Sequence, residues 1–402
     1  MSDPERQIKL IKRGIVESVP EGDIKKKITK SVETGKPLRV KLGVDPTAPD
    51  IHLGFTVVMR KLAQFQELGH SVVLIIGDYT ATVGDPSGRN KTRPQITHEE
   101  VLTNAEHYQK QFFKIVDKEK TEVVYNGDWF GKMNFRDILK LTSSMTVAQM
   151  LEREDFQNRY RDGTPICIHE FLYPLMQGWD SVVVKSDFEI GGTDQKFNVL
   201  VGRDLQKAEG QEPQAGLFMP ILLGTCGEKK MSKSIGNYVG IDEPPQVMYH
   251  KIFNIPDSIL FDWYELLTDI TPENLSAMRK DVEKGSLNYP DAKSRLAKDI
   301  ISQYYSEVEA EKAEQTEKAI HAGKTAGENI PEFKHGGSPV KIIDLLCDCG
   351  LTASRGEAKR LIKNNGVSMD DKKISDPALT INPTDGLIIK AGKRNFIRIR
   401  TI

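Results

Sequence analysis

The chain of 402 residues is 38% hydrophobic and 28% charged with a net charge of -1, the balance of a globular protein with room for two or three domains. That charge excludes a chain that is basic throughout, and no run approaches the roughly 18 apolar residues of a membrane span. The N-terminal "MSDPERQIKLIKRG" lacks the apolar stretch of a secretory signal, so the expected address is cytoplasmic.

In chain order, "LRVKLGVD" (38–45) reads as a buried strand. Val58, Leu62 and Phe65 then recur at helical spacing up to a stop at Gly69, and "SVVLIIG" (71–77) is a second apolar run. Strand, helix and strand at this spacing predict a right-handed crossover with a parallel pair. "SDFEIGG" and "GLFMPILLG" predict two more strands around a helix beginning near Asp194. The first 225 or so residues therefore read as an α/β domain with a doubly wound parallel sheet, Rossmann-like in type. Within it, about 97–180, lies a mostly helical insertion too long to be a loop.

After about residue 240 the predicted segments are helical: "PPQVMYHKIF", "SILFDWYELL" and the charged run from Tyr289 to Ala322. A linker rich in Gly, Pro and polar residues follows, and the last 65 or so residues restart as a small α+β module. The expected division is a catalytic domain over 1–238, a helical domain over 239–322, a linker over 323–337 and a small domain over 338–402. From Lys334 onward 13 Lys or Arg stand against 7 Asp or Glu, so positive charge gathers at this end, where it can attract phosphate backbones. The four cysteines, Cys167, Cys226, Cys347 and Cys349, contain one Cys-x-Cys pair and no second pair, and they read as reduced thiols rather than a zinc set.

Ligands of a parallel α/β sheet bind beyond the carboxyl ends of its strands, which puts the loop from Gly43 to His52 at the mouth of the expected site. In "PDIHLGFTVVMRKL", Gly54 removes a side chain so that a nucleotide can approach the backbone, and the free N–H groups of the helix start attract phosphate. His52 taken alone has an ordinary reading as a capping or surface residue. "EKKMSKSIGNY" (228–238) follows the last predicted strand, with Lys230 and Lys233 on either side of Met231. Such a loop can close over a triphosphate and bring two ammonium groups to its β- and γ-phosphates.

These two motifs, in this order on one sheet, resemble the paired signature of class I aminoacyl-tRNA synthetases. "GVDPT", "HLG", "GDPSG", "YPLMQGWD", "GGTDQ" and "KMSKS" occur in the order found in the tyrosine-specific members of that class, over nearly the whole chain. The resemblance implies ATP as substrate, with magnesium accompanying it and no dedicated protein metal site or tightly bound cofactor. It implies that Asp85, Tyr173 and Gln177 hold the α-amino group of tyrosine, Gln195 lies near its carboxylate and Asp180 takes its phenolic hydroxyl. Asp45, Gly192 and Asp194 would contact the adenylate, chiefly its ribose. Thr47, His52, Arg89, Arg93, Lys230 and Lys233 would stabilise the departing pyrophosphate.

Two positions depart from the pattern. Phe55 stands where the family usually has histidine or asparagine. It could pack against the base, turn into the core while the backbone binds, or mark a damaged ATP site. Lys41 stands where many bacterial members have tyrosine, and it could donate to the phenol, point away, or leave recognition to Asp180 alone or to a water. By the same resemblance the insertion implies a homodimer, and "SPVKIIDLLCDCGLTASRGEAKRLIKNNGVSMDDKKI" resembles a small RNA-binding domain. In it Arg355, Lys359, Arg360 and Lys363 share one helix face, with Asn364 and Gly366 in the turn after it; this face would grip tRNA(Tyr). The rival readings are a tryptophanyl-tRNA synthetase and an inactive RNA-binding protein on the same fold.

Overall fold

The computed structural model describes residues 3–47, 50–86, 97–321, 332–352, 354–370, 372–392 and 395–401. By internal contacts the chain divides into two compact units, Met1–Glu243 with Lys251–Tyr304, and Pro244–His250 with Tyr305–Ile402.

The first unit is built on a six-stranded sheet, β1 (Glu17–Val19), β2 (Arg39–Val44), β3 (Ser71–Ile76), β4 (Thr121–Tyr125), β5 (Phe188–Gly192) and β6 (Ala215–Met219), in the order β1-β6-β5-β2-β3-β4. All neighbours are parallel except β1 against β6. β3 and β6 are apolar runs with nearly every residue buried, as strands covered on both faces must be. The chain runs outward in opposite directions from β2 and β5, so a crevice opens beyond their carboxyl ends.

Helix α1 (Leu53–Glu67) joins β2 to β3 and buries Leu53, Val57, Leu62 and Phe65 against the sheet, where the Phe65 ring meets Phe188 of β5 with centroids 5.4 Å apart. Of the predicted recurrence, Leu62 and Phe65 lie in this stripe, while Val58 is half-buried and faces the crevice. Helix α2 (His98–Phe112) starts on a capping box, in which the Thr97 hydroxyl accepts from Glu100 N while the Glu100 carboxylate accepts from Thr97 N. β4 lies inside the stretch expected to be mostly helical. Its "TEVVY" is only half-buried and carries no continuous apolar run, so hydrophobicity does not announce it. Helices α3 (Leu172–Val184) and α4 (Lys196–Ala208) pack on one another beside β5. Short helices between β4 and α3 expose Phe135, Leu139, Val147, Tyr160 and Ile168.

In the second unit, strands at Glu332–His335, Val367–Met369, Lys372–Ile374, Ile388–Ala391 and Asn395–Thr401 form a five-stranded sheet. Helices α5 (Ile342–Asp348) and α6 (Arg355–Lys363) share a core with it, made of Ile342, Leu345, Leu346, Ala358, Ile362, Ile389 and Ile399. Among the described residues no helix is long and apolar enough to cross a membrane.

Candidate active site

The crevice between β2 and β5 is a cavity of about 570 Å³. It is lined by the loop after β2 (Asp45, Thr47, Asp50, His52), the first turns of α1 (Gly54, Phe55), the end of β5 (Gly191, Gly192, Asp194, Gln195), α3 (Tyr173, Gln177, Asp180) and the loop after β6 (Lys230, Met231, Lys233). Asp85 also lines it. The structure therefore brings together nearly all the residues expected from the sequence. Arg89 and Arg93 lie outside the described residues.

At the opening of α1, His52 is the N-cap, and its Nδ1 accepts from Gly54 N at 3.2 Å. That bond assigns the remaining proton to Nε2, so His52 offers a donor toward a ligand. Burial, and then the charge of Lys233, lower the His52 pKa to about 4, so the ring is neutral at pH 7 and acts as a dipole rather than a cation. A Cβ on Gly54 would stand 3.0 Å from the His52 ring and 3.4 Å from Met231 Cβ, so only glycine sits here without displacing a neighbour. The loop that carries the lysines is tied to this helix start: Leu53 N donates to Val239 O at 2.9 Å, and Ile241 N to Ile51 O at 3.1 Å. Asn237 braces the loop from within, accepting from Ser232 N at 2.8 Å and donating to the carbonyls of Lys229 and Lys230. Lys230 is exposed at the mouth, and Lys233 Nζ reaches Asp50 Oδ2 at 3.1 Å.

Phe55 does not turn into the core. It is 45% exposed, lines the cavity, and places its ring centroid 4.6 Å from that of His52.

At the deep end, Asp180 is buried, with Oδ1 accepting from Trp129 Nε1 at 3.0 Å and Oδ2 from Asn126 Nδ2 at 3.4 Å. Burial pushes its pKa up to about 7 against the opposing charge of Lys41. Asn126 also donates to Thr80 Oγ1 at 3.0 Å, Thr80 donates to Asp45 Oδ1 at 2.7 Å, and Tyr173 OH donates to Asp45 Oδ2 at 2.8 Å. One chain of hydrogen bonds thus runs from Asp180 to Asp45, the carboxylate expected at the ribose. Gly77 lets it pass, since a Cβ there would collide with the Asp45 carboxylate and the Thr80 hydroxyl.

Lys41 is fully buried in β2 and opposite Glu189 of β5 in register. Its ammonium lies 3.2 Å from Glu189 Oε2 and donates to the Gln177 backbone carbonyl at 3.0 Å. Both contacts lie within the protein, so Lys41 acts on Asp180 through its charge rather than by reaching into the cavity.

Asn126, Thr80, Trp129 and Glu189 complete these networks without a signal of their own in the sequence, and Arg153 Nη2 reaches Asp85 Oδ1 at 3.3 Å. Asn126 directly follows β4, and recognising that strand would have placed it at the carboxyl edge where ligands bind. Among the described residues no group of three or more His, Cys, Asp or Glu could hold a metal ion, and the four cysteines are free thiols. In the second unit, α6 buries Ala358 and Ile362 and exposes Arg355, Lys359, Arg360 and Lys363, with Arg355 paired to Asp344 at 2.7 Å.

Comparison with known proteins identifies the family. Residues 33–322 match the family model described as tRNA synthetases class I (W and Y), and residues 322–399 match the Tyrosine–tRNA ligase SYY-like C-terminal domain. The chain is 52% identical over 400 residues to the tyrosine–tRNA ligase of Carboxydothermus hydrogenoformans, covering 98% of this chain and 97% of that one. It is 46% identical over 396 residues to that of Aquifex aeolicus, covering 98% and 99%. A crystal structure of tyrosyl-tRNA synthetase complexed with L-tyrosine from Archaeoglobus fulgidus matches with a TM-score of 0.63 at 24% identity, over 77% of this chain and 99% of that one, a likeness of fold. The family model alone leaves tryptophan and tyrosine enzymes side by side; the C-terminal match and the full-length relatives decide between them, and the chain belongs to the tyrosine–tRNA ligases of class I.

Proposed function

We propose that the chain activates L-tyrosine with ATP in the β2/β5 crevice and passes the tyrosyl group to the 3' end of tRNA(Tyr). The carrying observation is that the His52–Gly54 helix start, the Lys230–Lys233 loop and buried Asp180 line one cavity. A carboxylate oxygen of tyrosine attacks the α-phosphorus, the bond from that phosphorus to the β-bridging oxygen breaks, and pyrophosphate leaves. The nucleophile is already ionised at neutral pH, so the step needs positioning and charge stabilisation rather than a general base. A terminal ribose hydroxyl of the tRNA then attacks the tyrosyl carbonyl, and AMP departs.

In this reading Asp180 takes the phenol, Asp85, Tyr173 and Gln177 take the ammonium, and Gln195 lies by the carboxylate. Asp45, Gly192 and Asp194 take the ribose, and Phe55 packs against the base beside His52. Thr47, His52, Lys230, Lys233 and, outside the described residues, Arg89 and Arg93 stabilise the pyrophosphate. Magnesium belongs with the phosphates of ATP: lysines and a neutral histidine on the triphosphate side suit an ion carried in by the nucleotide.

The division at 238, 322 and 337, a cytoplasmic location, a homodimer through the exposed apolar residues between β4 and α3, and tRNA contact by α6 belong to the same proposal. Tyrosine-dependent exchange between ATP and pyrophosphate tests it. Exchange should saturate with tyrosine and not with tryptophan; no exchange at saturating ligand would leave only a binding protein on this fold.

A further inference from the structure

A tyrosine ammonium can be held by the carbonyl oxygen of the Gln177 amide but is repelled by its NH2, so which end faces the cavity decides whether this residue helps or hinders. Three further side chains bear on that choice. Gln177 Nε2 donates to Glu189 Oε1 at 3.0 Å. Gln177 Oε1 accepts from Asn198 Nδ2 at 2.8 Å, and Asn198 Nδ2 also donates to Gln195 Oε1 at 3.1 Å. Asn198 Oδ1 in turn accepts from Arg153 Nη1 at 2.9 Å, and Gln195 Nε2 donates to Asp85 Oδ2 at 2.9 Å.

The amides in this chain can each turn either way, whereas its ends cannot. Ionised carboxylates at Glu189 and Asp85 only accept, and the guanidinium of Arg153 only donates. Turning any one amide would set donor against donor at Arg153 or acceptor against acceptor at a carboxylate, in a region where Asn198, Glu189 and Arg153 are all buried. Glu189 Oε2 is also held by Lys41, by Ser181 Oγ at 3.3 Å and by Gln214 Nε2.

We propose that Glu189, held by Lys41 and bonded directly to the Gln177 side-chain N–H, and Arg153, acting through Asn198, are positioning residues that turn the Gln177 side-chain carbonyl oxygen toward the ammonium of tyrosine. This rests on the site reading above. It gives the Lys41 departure a function: the buried cation compensates the carboxylate that sets the polarity of the amide chain.

The test compares two ligands, tyrosinol, which has the ammonium and no carboxylate, and 3-(4-hydroxyphenyl)propionate, which has the carboxylate and no ammonium. The pair Lys41→Met/Glu189→Met removes the acceptor together with the cation that compensates it, while Lys41→Met/Glu189→Gln has the same charge and restores an acceptor. Relative to the second pair, the first should bind tyrosinol about tenfold more weakly and the propionate within about twofold, because the loss of Lys41 near Asp180 is common to both pairs. Asn198→Leu should reproduce the selective loss by cutting the chain in its middle, and it decides the matter if the methionine pair does not fold. Equal weakening of both ligands, or no change in either, overturns the proposal. If the unaltered protein binds neither ligand, the site reading beneath it fails first.

Discussion

The backbone N–H of Gly54 lies 3.3 Å from Sδ of Met231, so the first turn of α1 and the lysine-bearing loop touch although 177 positions separate them. Gly54→Ala would wedge a methyl group between the His52 ring and Met231 Cβ. The expected outcome is a rise in KM for ATP on the order of tenfold, with tyrosine affinity nearly unchanged. Exchange kinetics with each substrate varied in turn measure both.

Lys233 sits beside a neutral His52 and within reach of Asp50, where it can follow the charge that develops on pyrophosphate. Lys233→Ala should slow adenylate formation by roughly a hundredfold or more while leaving the tyrosine dissociation constant within about twofold. Single-turnover adenylate formation and equilibrium tyrosine binding separate the two quantities; equal losses would remove Lys233 from the reaction.

Asp180 titrates at about 7, chiefly because it is buried. Above that value it is an ionised acceptor for the phenol, so kcat/KM for tyrosine should fall as pH drops through 7, and Asp180→Asn should abolish that limb along with most of the affinity. For folding the direction is reversed. An unfolded aspartate ionises near 3.9, so between about 4 and 7 the folded chain binds the extra proton, and stability is lost as pH rises through 7. Denaturant midpoints across this range, with Asp180→Asn as the flat control, check the sign.

The exposed face of α6 should be felt by RNA alone. Lys359→Ala with Lys363→Ala should weaken tRNA binding and reduce the slope of log K against log salt by about 1 for each lysine. Exchange between ATP and pyrophosphate should be unaffected, because it involves no tRNA.

Phe188 is fully buried at the start of β5 and meets Phe65 of α1. Phe188→Ala should cost about 3–5 kcal/mol, read from urea unfolding.

Much of this architecture is legible in residue order, for physical reasons that differ from place to place. β3 and β6 are covered on both faces, so burial demands continuous apolar runs and hydrophobicity alone reveals them. β4 at the sheet edge needs no such run and stays hidden, and with it Asn126, the link between Asp180 and Thr80. The lysines and Gly54 are visible because phosphate chemistry narrows the residue types a loop can use. Lys41 remains ambiguous in the sequence because its partner Glu189 lies 148 positions away, and only strand register makes them neighbours. The compensation between the two is a property of pairs, and no single position displays it.

Asp45 accepts from Tyr173 with one oxygen and from Thr80 with the other. Each oxygen keeps a second lone pair, so a ribose hydroxyl can donate to this carboxylate while both neighbours stay bound. The two ends of the crevice therefore meet at one side chain, and truncating it would loosen Tyr173 and Thr80 together.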